Sequence, residues 1–319
     1  MKAIIHMQYG SRDVLHLSDI EEPTPKEGEV LLKVQAASLN AMDWHLMRGS
    51  PFFIRLAHGL LRPKVTGVGI DVAGVVEAVG TDVSEFKPGD AVFGTCRGAF
   101  AEYACTKPER LALKPKNISF EAAATVPIAG FTALQALRNA GKIQAGQRVV
   151  IDGAGGGVGN FAVLLAKAFG AEVTAVCSTA NQEWVRALGA DYVMDYSQED
   201  FTRGGRHYDL IFGANAFHSL FAYRRALIPK GIYVMTGGSV ATLLQCMLLG
   251  PLLSLTGGRK FRIKGAKPRQ EDLLVLSGLL EAGKLKPAID QTYELSEATA
   301  AMRYIESKHA KGKVVISIA

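Results

Sequence analysis

Val149-Val150-Ile151-Asp152-Gly153-Ala154-Gly155-Gly156-Gly157-Val158-Gly159, continued by the apolar-periodic run Asn160 to Phe169, is the stretch whose reading decides the fold. A run of β-branched residues, a glycine turn and a helical pattern follow one another, which is the order a pyrophosphate site requires. Gly155 and Gly156 are expected to let the backbone turn tightly and approach phosphates, where a side chain would collide. Gly159 is expected to let the helix lie close on the strand, and the helix N-terminus offers N–H groups and a positive dipole end. Ala154 stands where the strict G-x-G-x-x-G form would begin. A glycine-rich turn can be merely flexible, but here the strand before it and the helix after it are both legible. The stretch reads as a dinucleotide-binding unit.

Working outward, the downstream sequence alternates strands with helices. Val173 to Val176, Tyr192 to Asp195, Asp209 to Phe212 and Gly231 to Met235 read as buried strands, with helices at Gln182 to Leu188 and Phe217 to Leu227. That alternation predicts a doubly wound parallel sheet. Upstream, Glu29 to Ala36, Asp71 to Gly80 and Ala91 to Gly94 are short strands separated by turn signals such as Lys87-Pro88-Gly89-Asp90, the pattern of a small barrel-like β domain. Thr132 to Asn139 reads as a helix, and the alternating Phe100 to Ala104 as a strand. After about residue 265 the order is helix, strand, helix and a last strand, Lys313 to Ile318, a tail expected to return to the first domain. The fold class is therefore α/β. Residues 1–124 and 265–319 form a β-rich catalytic domain, and 125–264 an inserted nucleotide-binding domain, with the expected site in the cleft between them.

Composition narrows the partners. The 319 residues carry a net charge of +6 with basic residues scattered, apart from small clusters such as Arg259 to Lys264. No basic tract or nucleic-acid motif is present, and an anionic cofactor accounts for a modest surplus. The four cysteines form no C-x-x-C pair, which suits a reducing, cytoplasmic compartment. The N-terminus runs straight into strand-like sequence, so no signal peptide is expected. The apolar tract Val240 to Leu255 falls short of the roughly 20 residues of a membrane span; it reads as a pocket wall first, then a dimer contact, then a membrane-surface contact.

The second strand of the nucleotide unit selects the cofactor. It ends in Val176-Cys177-Ser178-Thr179-Ala180-Asn181, with no carboxylate until Glu183. A carboxylate there would hold the ribose hydroxyls of NAD and repel a 2′-phosphate, whereas hydroxyls donate to one. Ser178, with Tyr196 at the end of the third strand, points to NADPH; the alternative is that Ser178 and Thr179 only cap the next helix.

Several motifs together resemble the zinc-independent quinone oxidoreductase branch of the medium-chain dehydrogenase/reductase family, the branch of zeta-crystallin and the enone reductases. They are Ser38 to Trp44, Gly69 to Val76, Lys87 to Val92, Pro127 to Leu137, the glycine loop, Leu188 to Asp191 and His309 to Val315. The resemblance covers essentially the whole chain. It implies a GroES-like catalytic domain with an inserted Rossmann domain. Gly155, Gly157 and Val158 would line the pyrophosphate, with Ser178 and Tyr196 at the adenosine phosphate end. Thr132 would lie near the nicotinamide, Asn40 in the nicotinamide and substrate cleft, and His309, Ala310 and Lys311 over the cofactor. Relatives often have a Lys where this chain has Asn181.

Zinc alcohol dehydrogenases also resemble this chain, but hold their metal with a Cys in the Asn40 region and a G-H-E motif; here the residues are Asn40 and Gly69-Ile70-Asp71. The four-cysteine structural lobe is missing as well, so no zinc site is expected. Without a Lewis acid, reduction of a conjugated acceptor is more feasible than alcohol oxidation. Asp43 reads as an N-cap or turn carboxylate ahead of a helix from Trp44 to Met47, with a proton relay as the alternative. His45, His58 and Tyr103 read as structural, and Lys311 as either a phosphate contact or an exposed turn residue. The expected activity is NADPH-dependent hydride transfer to a quinone or an α,β-unsaturated carbonyl, with a small hydrophobic substrate and a homodimeric assembly. A non-catalytic NADPH-binding protein and a zinc-independent ketone or aldehyde reductase are the alternatives.

Overall fold

A computed structural model describes residues 1–255 and 258–318, and the chain divides into two compact units. The first comprises Met1–Ile128, Pro268–Gly283 and residues 287–318; the second comprises Ala129–Lys267 and Lys284–Lys286.

In the first unit, β1 (Lys2–Ile5) pairs antiparallel with β2 (His16–Asp19). The larger sheet begins with β3 (Val30–Ser38), which is followed by the helices α1 (Ala41–Arg48) and α2 (Phe53–His58). It continues through β4 (Asp71–Val79), β5 (Ala91–Thr95), β6 (Tyr103–Thr106) and β7 (Leu111–Leu113), ahead of α3 (Phe120–Ala124). The chain then leaves through α4 (Pro127–Leu134), whose proline sits at the first helical position, where no N–H is needed.

The second unit contains β8 (Arg148–Asp152), α5 (Gly157–Ala168), β9 (Glu172–Cys177), α6 (Gln182–Ala187), β10 (Tyr192–Asp195), β11 (Tyr208–Gly213), α7 (Leu220–Ala226), β12 (Leu227–Met235), α8 (Val240–Leu255) and β13 (Lys260–Ile263). Its strands lie in the order β10-β9-β8-β11-β12-β13 and every pair is parallel, the Rossmann arrangement. Val149, Val150, Ile151, Val173, Ile211 and Phe212 are fully buried because helices cover both faces of such a sheet, which is why these strands read as continuous apolar runs.

The tail returns to the first unit as α9 (Gln270–Glu281), β14 (Ile289–Glu294), α10 (Ala298–Glu306) and β15 (Lys313–Ser317). The large sheet runs β14-β15-β3-β4-β5-β7, with β6 also on β3. Val34, Leu39, Val72, Val76, Phe100, Met302, Val314 and Ile316 share its core. The register aligns Ser38 with both Asp71 and Val315, so the C-terminal end of β3 meets the starts of β4 and β15. That junction positions the polar cluster described below.

The basic cluster Arg259 to Lys264 is largely β13, an edge strand whose Phe261 packs inward. Three local expectations need correction. The helix expected from Thr132 starts five residues earlier and becomes a π-helix at Gln135–Ala140. The strand expected at Phe100 to Ala104 is β6, Tyr103–Thr106, because Phe100 and Ala101 instead bond individually to β1. Helix α1 starts at Ala41, so Asp43 occupies its third position and does not precede it.

Candidate functional site

In the second unit the site is built at the C-terminal ends of β8, β9 and β10. Gly153 and Ala154 both donate to the Val176 carbonyl, at 3.1 and 2.9 Å, which ties the loop after β8 to β9. The left-handed residue of this turn is Gly153 (φ 91°), where a Cβ would come within 2.8 Å of the Asn215 nitrogen. Gly155 and Gly156 complete this turn, which the Gly156 N–H closes by donating to the Gly153 carbonyl at 3.4 Å. Gly155 is buried against the Asn181 side chain, whereas Gly156 is the exposed N-cap of α5 with ordinary extended backbone. Gly159 meets its expectation: a Cβ there would lie 2.1 Å from the Gly153 carbonyl. Asn160 donates to the Ala154 carbonyl and accepts from Trp184 Nε1, both at 2.8 Å, bracing the loop against α6.

A Cβ on Gly156 would touch only the Gly153 carbonyl oxygen, at 4.0 Å, so this surface of the loop is open to a ligand. Gly157 and Val158 form the first turn of α5, whose N–H groups have no partner within the helix. Ser178 starts the turn after β9, but its side chain makes no cap hydrogen bond. Tyr196, exposed, lies alongside, its N–H donating to the Cys177 carbonyl at 3.1 Å. The structure thus brings Gly155, Gly156, Gly157, Val158, Ser178 and Tyr196 to one end of the sheet.

Asp195, which in the sequence is only the end of a strand, organises this edge. One of its oxygens accepts from Thr179 Oγ1 and Gln182, the other from the N–H (2.9 Å) and hydroxyl (2.7 Å) of Ser197. These bonds, with Thr179 foremost, hold its carboxyl below the usual range. Both oxygens are engaged within the protein, so Asp195 leaves no free carboxylate at this edge. The loop, the helix N-terminus and the hydroxyls of Ser178 and Tyr196 fit a dinucleotide with a 2′-phosphate.

Beneath the loop, Asp152 is fully buried and accepts from Tyr223 Oη at 2.6 Å, while its Oδ1 has no partner. Burial raises its carboxyl to about 7.

In the first unit, the junction of β3, β4 and β15 holds a buried polar cluster. Asp71 Oδ2 accepts from Asn40 Nδ2 (2.8 Å), Ser38 Oγ (3.1 Å) and Lys313 Nζ (3.3 Å), and its Oδ1 accepts from the Ile128 N–H (2.9 Å). Lys313 Nζ also donates to Asn40 Oδ1 at 2.6 Å and to the Leu39 carbonyl at 3.0 Å. Asp43 accepts from the Asn40 N–H at 2.7 Å and leaves its Oδ1 without a partner. Burial first, then the charge of Asp71, pushes the Asp43 carboxyl up to about 7. Asp43 thus caps α1 from its third position, and burial favours its protonated form. Asn40 and Ile70 stand where the resemblance puts the thiolate and imidazole ligands of zinc alcohol dehydrogenases, and Asp71 stands at the acidic position of their G-H-E motif. Among the described residues no group of three or more His, Cys, Asp or Glu side chains is placed to hold a metal.

The other expected residues are more dispersed. Thr132 is buried in α4. His309 and Lys311 are exposed and Ala310 half-buried in the turn between α10 and β15. Asp290 ties this turn down, its Oδ2 accepting from the Lys311 N–H and from Tyr304 Oη, each at 2.8 Å. The tract Val240–Leu255 is one continuous helix with Val240, Leu244, Met247, Leu248, Leu252 and Leu255 exposed. No helix among the described residues is long and apolar enough to cross a membrane.

A six-stranded Rossmann sheet with an open glycine loop, joined to a β-rich unit, defines a nucleotide-dependent oxidoreductase of the alcohol dehydrogenase type. The family model for the alcohol dehydrogenase GroES-like domain matches residues 26–116, and that for zinc-binding dehydrogenase matches 188–316. Among curated relatives, the 2-methylene-furan-3-one reductase of Solanum lycopersicum and the chloroplastic NADPH-dependent alkenal/one oxidoreductase of Arabidopsis thaliana are each 34% identical, over 99% of this chain and 79% of theirs. The solved quinone oxidoreductase from Coxiella burnetii has a TM-score of 0.87 at 31% identity, over 100% of this chain and 99% of that one. The chain belongs to the medium-chain dehydrogenase/reductase family, in its quinone oxidoreductase and enone reductase branch.

Proposed function

We propose that this protein is an NADPH-dependent, zinc-independent oxidoreductase that delivers hydride to a quinone or to an α,β-unsaturated carbonyl. The observation that carries the reading is the presence in one chain of an open glycine loop beside a β9 end, Cys177 to Asn181, that bears no carboxylate, and a buried amide, Asn40, held between an ammonium and a carboxylate. Full-length likeness to an alkenal/one oxidoreductase and to a quinone oxidoreductase supports the acceptor class. NADPH, when bound, supplies the hydride, and its redox chemistry belongs to the nicotinamide.

The chain's own residues bind and align. Gly155, Gly157 and Val158 line the pyrophosphate, Gly157 and Val158 through the N–H groups of the first turn of α5 and Gly156 by leaving that surface open, and Ser178 and Tyr196 receive the 2′-phosphate. Thr132 positions the nicotinamide end, and the turn at His309, Ala310 and Lys311 contributes a backbone and a cation. Asn40 offers an amide N–H to the acceptor carbonyl, whose oxygen gains negative charge as hydride arrives. Fixed geometry of this kind supplies most of the rate.

We place the protein in a reducing, cytoplasmic compartment, a reading supported by four free cysteines. A homodimer is supported by the exposed apolar stripe of α8 beside the edge strand β13, since such patches and unpaired edges are usually covered.

The test is NADPH oxidation with simple enones and quinones before and after thorough chelation. Turnover that persists after chelation and prefers NADPH to NADH is expected. Turnover abolished by chelation, or an NADH preference, would overturn the metal-free or the cofactor reading respectively.

A further inference from the structure

We propose that Lys313 is a positioning residue for hydride transfer: its buried ammonium, together with Asp71, holds the Asn40 amide in one orientation and sharpens it as a hydrogen-bond donor to the acceptor carbonyl. The proposal rests on the reductase reading above. Lys313 is only 3% exposed, and its three N–H donors are all used, on the Leu39 carbonyl, Asn40 Oδ1 and Asp71 Oδ2.

The chemistry of the neighbours fixes the amide. An ammonium only donates and a carboxylate only accepts. The Asn40 atom 2.6 Å from Lys313 is therefore the oxygen, and the atom 2.8 Å from Asp71 is the nitrogen. A flipped amide would set donor against donor on one side and acceptor against acceptor on the other. Asp71 cannot yield, because the Ser38 hydroxyl and the Ile128 N–H hold its two oxygens.

One proton of the amide nitrogen goes to Asp71. The other faces only the Ser38 carbonyl at 3.5 Å, beyond a good hydrogen bond. Charge-assisted donation onto Oδ1 draws density out of the amide, so this second N–H becomes a stronger donor. Such a donor suits an oxygen that becomes negative during the reaction. A buried ion pair contributes little to stability against an apolar replacement of the same shape, so stability alone gives little reason for a lysine here.

A double-mutant cycle separates positioning from structure. Lys313→Met is expected to lower kcat by roughly tenfold or more and to leave the KM for NADPH within about twofold. Lys313→Arg should restore most of the loss. In an Asn40→Ala background, Lys313→Met should cost almost nothing further. Equal losses in both backgrounds would overturn the proposal. Because Lys313→Met leaves Asp71 buried without its counter-ion, Lys313→Met/Asp71→Asn is run in parallel and judged the same way.

A second readout needs no turnover. In protein labelled with 15N-asparagine, the Asn40 side-chain signals, identified by their loss in Asn40→Ala, should shift in Lys313→Met and stay near wild type in Lys313→Arg. Signals unmoved by Lys313→Met would overturn the clamp. Shifted signals in a wild-type protein that reduces no enone or quinone would leave the clamp standing and overturn the reductase reading.

Discussion

Replacing Asp43 by asparagine should change how the stability of the first unit depends on pH. The Asp43 carboxyl is raised from 3.8 to about 7, chiefly by burial and then by the Asp71 carboxylate, with Lys313 and the Asn40 N–H opposing. A folded pKa above the unfolded one means that the native state holds the proton more tightly. Stability from this group is therefore fully present below about pH 4 and is lost as pH rises to about 7. Three pK units correspond to about 4 kcal/mol across that window, an upper bound for a group that relaxes. The substituted amide keeps an oxygen for the Asn40 N–H and stays neutral at every pH. Asp43→Asn should match wild type near pH 4 and become the more stable of the two by a few kcal/mol at pH 8. Urea unfolding at four pH values, followed by the fluorescence of Trp44 in a Trp184→Phe background, measures this directly. Parallel stability curves for the two proteins would refute the reasoning.

Three further outcomes follow from the geometry. Gly159→Ala drives a Cβ to 2.1 Å from the Gly153 carbonyl, so the loop must move; an overpacking strain of about 1–3 kcal/mol, borne by the bound state, predicts NADPH affinity weaker by roughly fivefold to 150-fold, read by fluorescence titration. Tyr223→Phe removes the hydroxyl that donates to Asp152, whose other oxygen already lacks a partner; the loss of about 1.5–3 kcal/mol should be larger at pH 8, where that carboxyl is charged, than at pH 5. Leu248→Glu places a charge on the exposed face of α8 and, on the homodimer proposal, should halve the mass seen by light scattering and leave a melting temperature that no longer rises with protein concentration.

How much of this was legible in the sequence varied with the physics of each part. The β8 strand, glycine loop and α5 could be read because their constraints are local: β-branched residues, glycines and an apolar period lie within some twenty positions. Gly159 was correctly singled out, since close packing of helix on strand excludes every other residue. The left-handed conformation falls on Gly153, and in a run of glycines nothing local marks which one carries the positive φ. Lys313 was visible only as part of a C-terminal motif. Lysines are rarely buried, and its partners Asn40 and Asp71 lie more than 240 positions away, so only the β3–β4–β15 register brings them together. Asp195 was missed because its hydroxyl partner Thr179 sits on a different loop. The sequence signal for both was a charged residue at the end of an otherwise buried strand.

The most direct measurement of the central claim is to supply NADPH deuterated at C4 of the nicotinamide together with a simple enone, and to locate the deuterium in the product by NMR. Deuterium on the carbon β to an intact carbonyl, in a reaction that survives chelation, is the predicted result. Deuterium on the carbonyl carbon of an allylic alcohol, or no transfer to any enone or quinone, would contradict it.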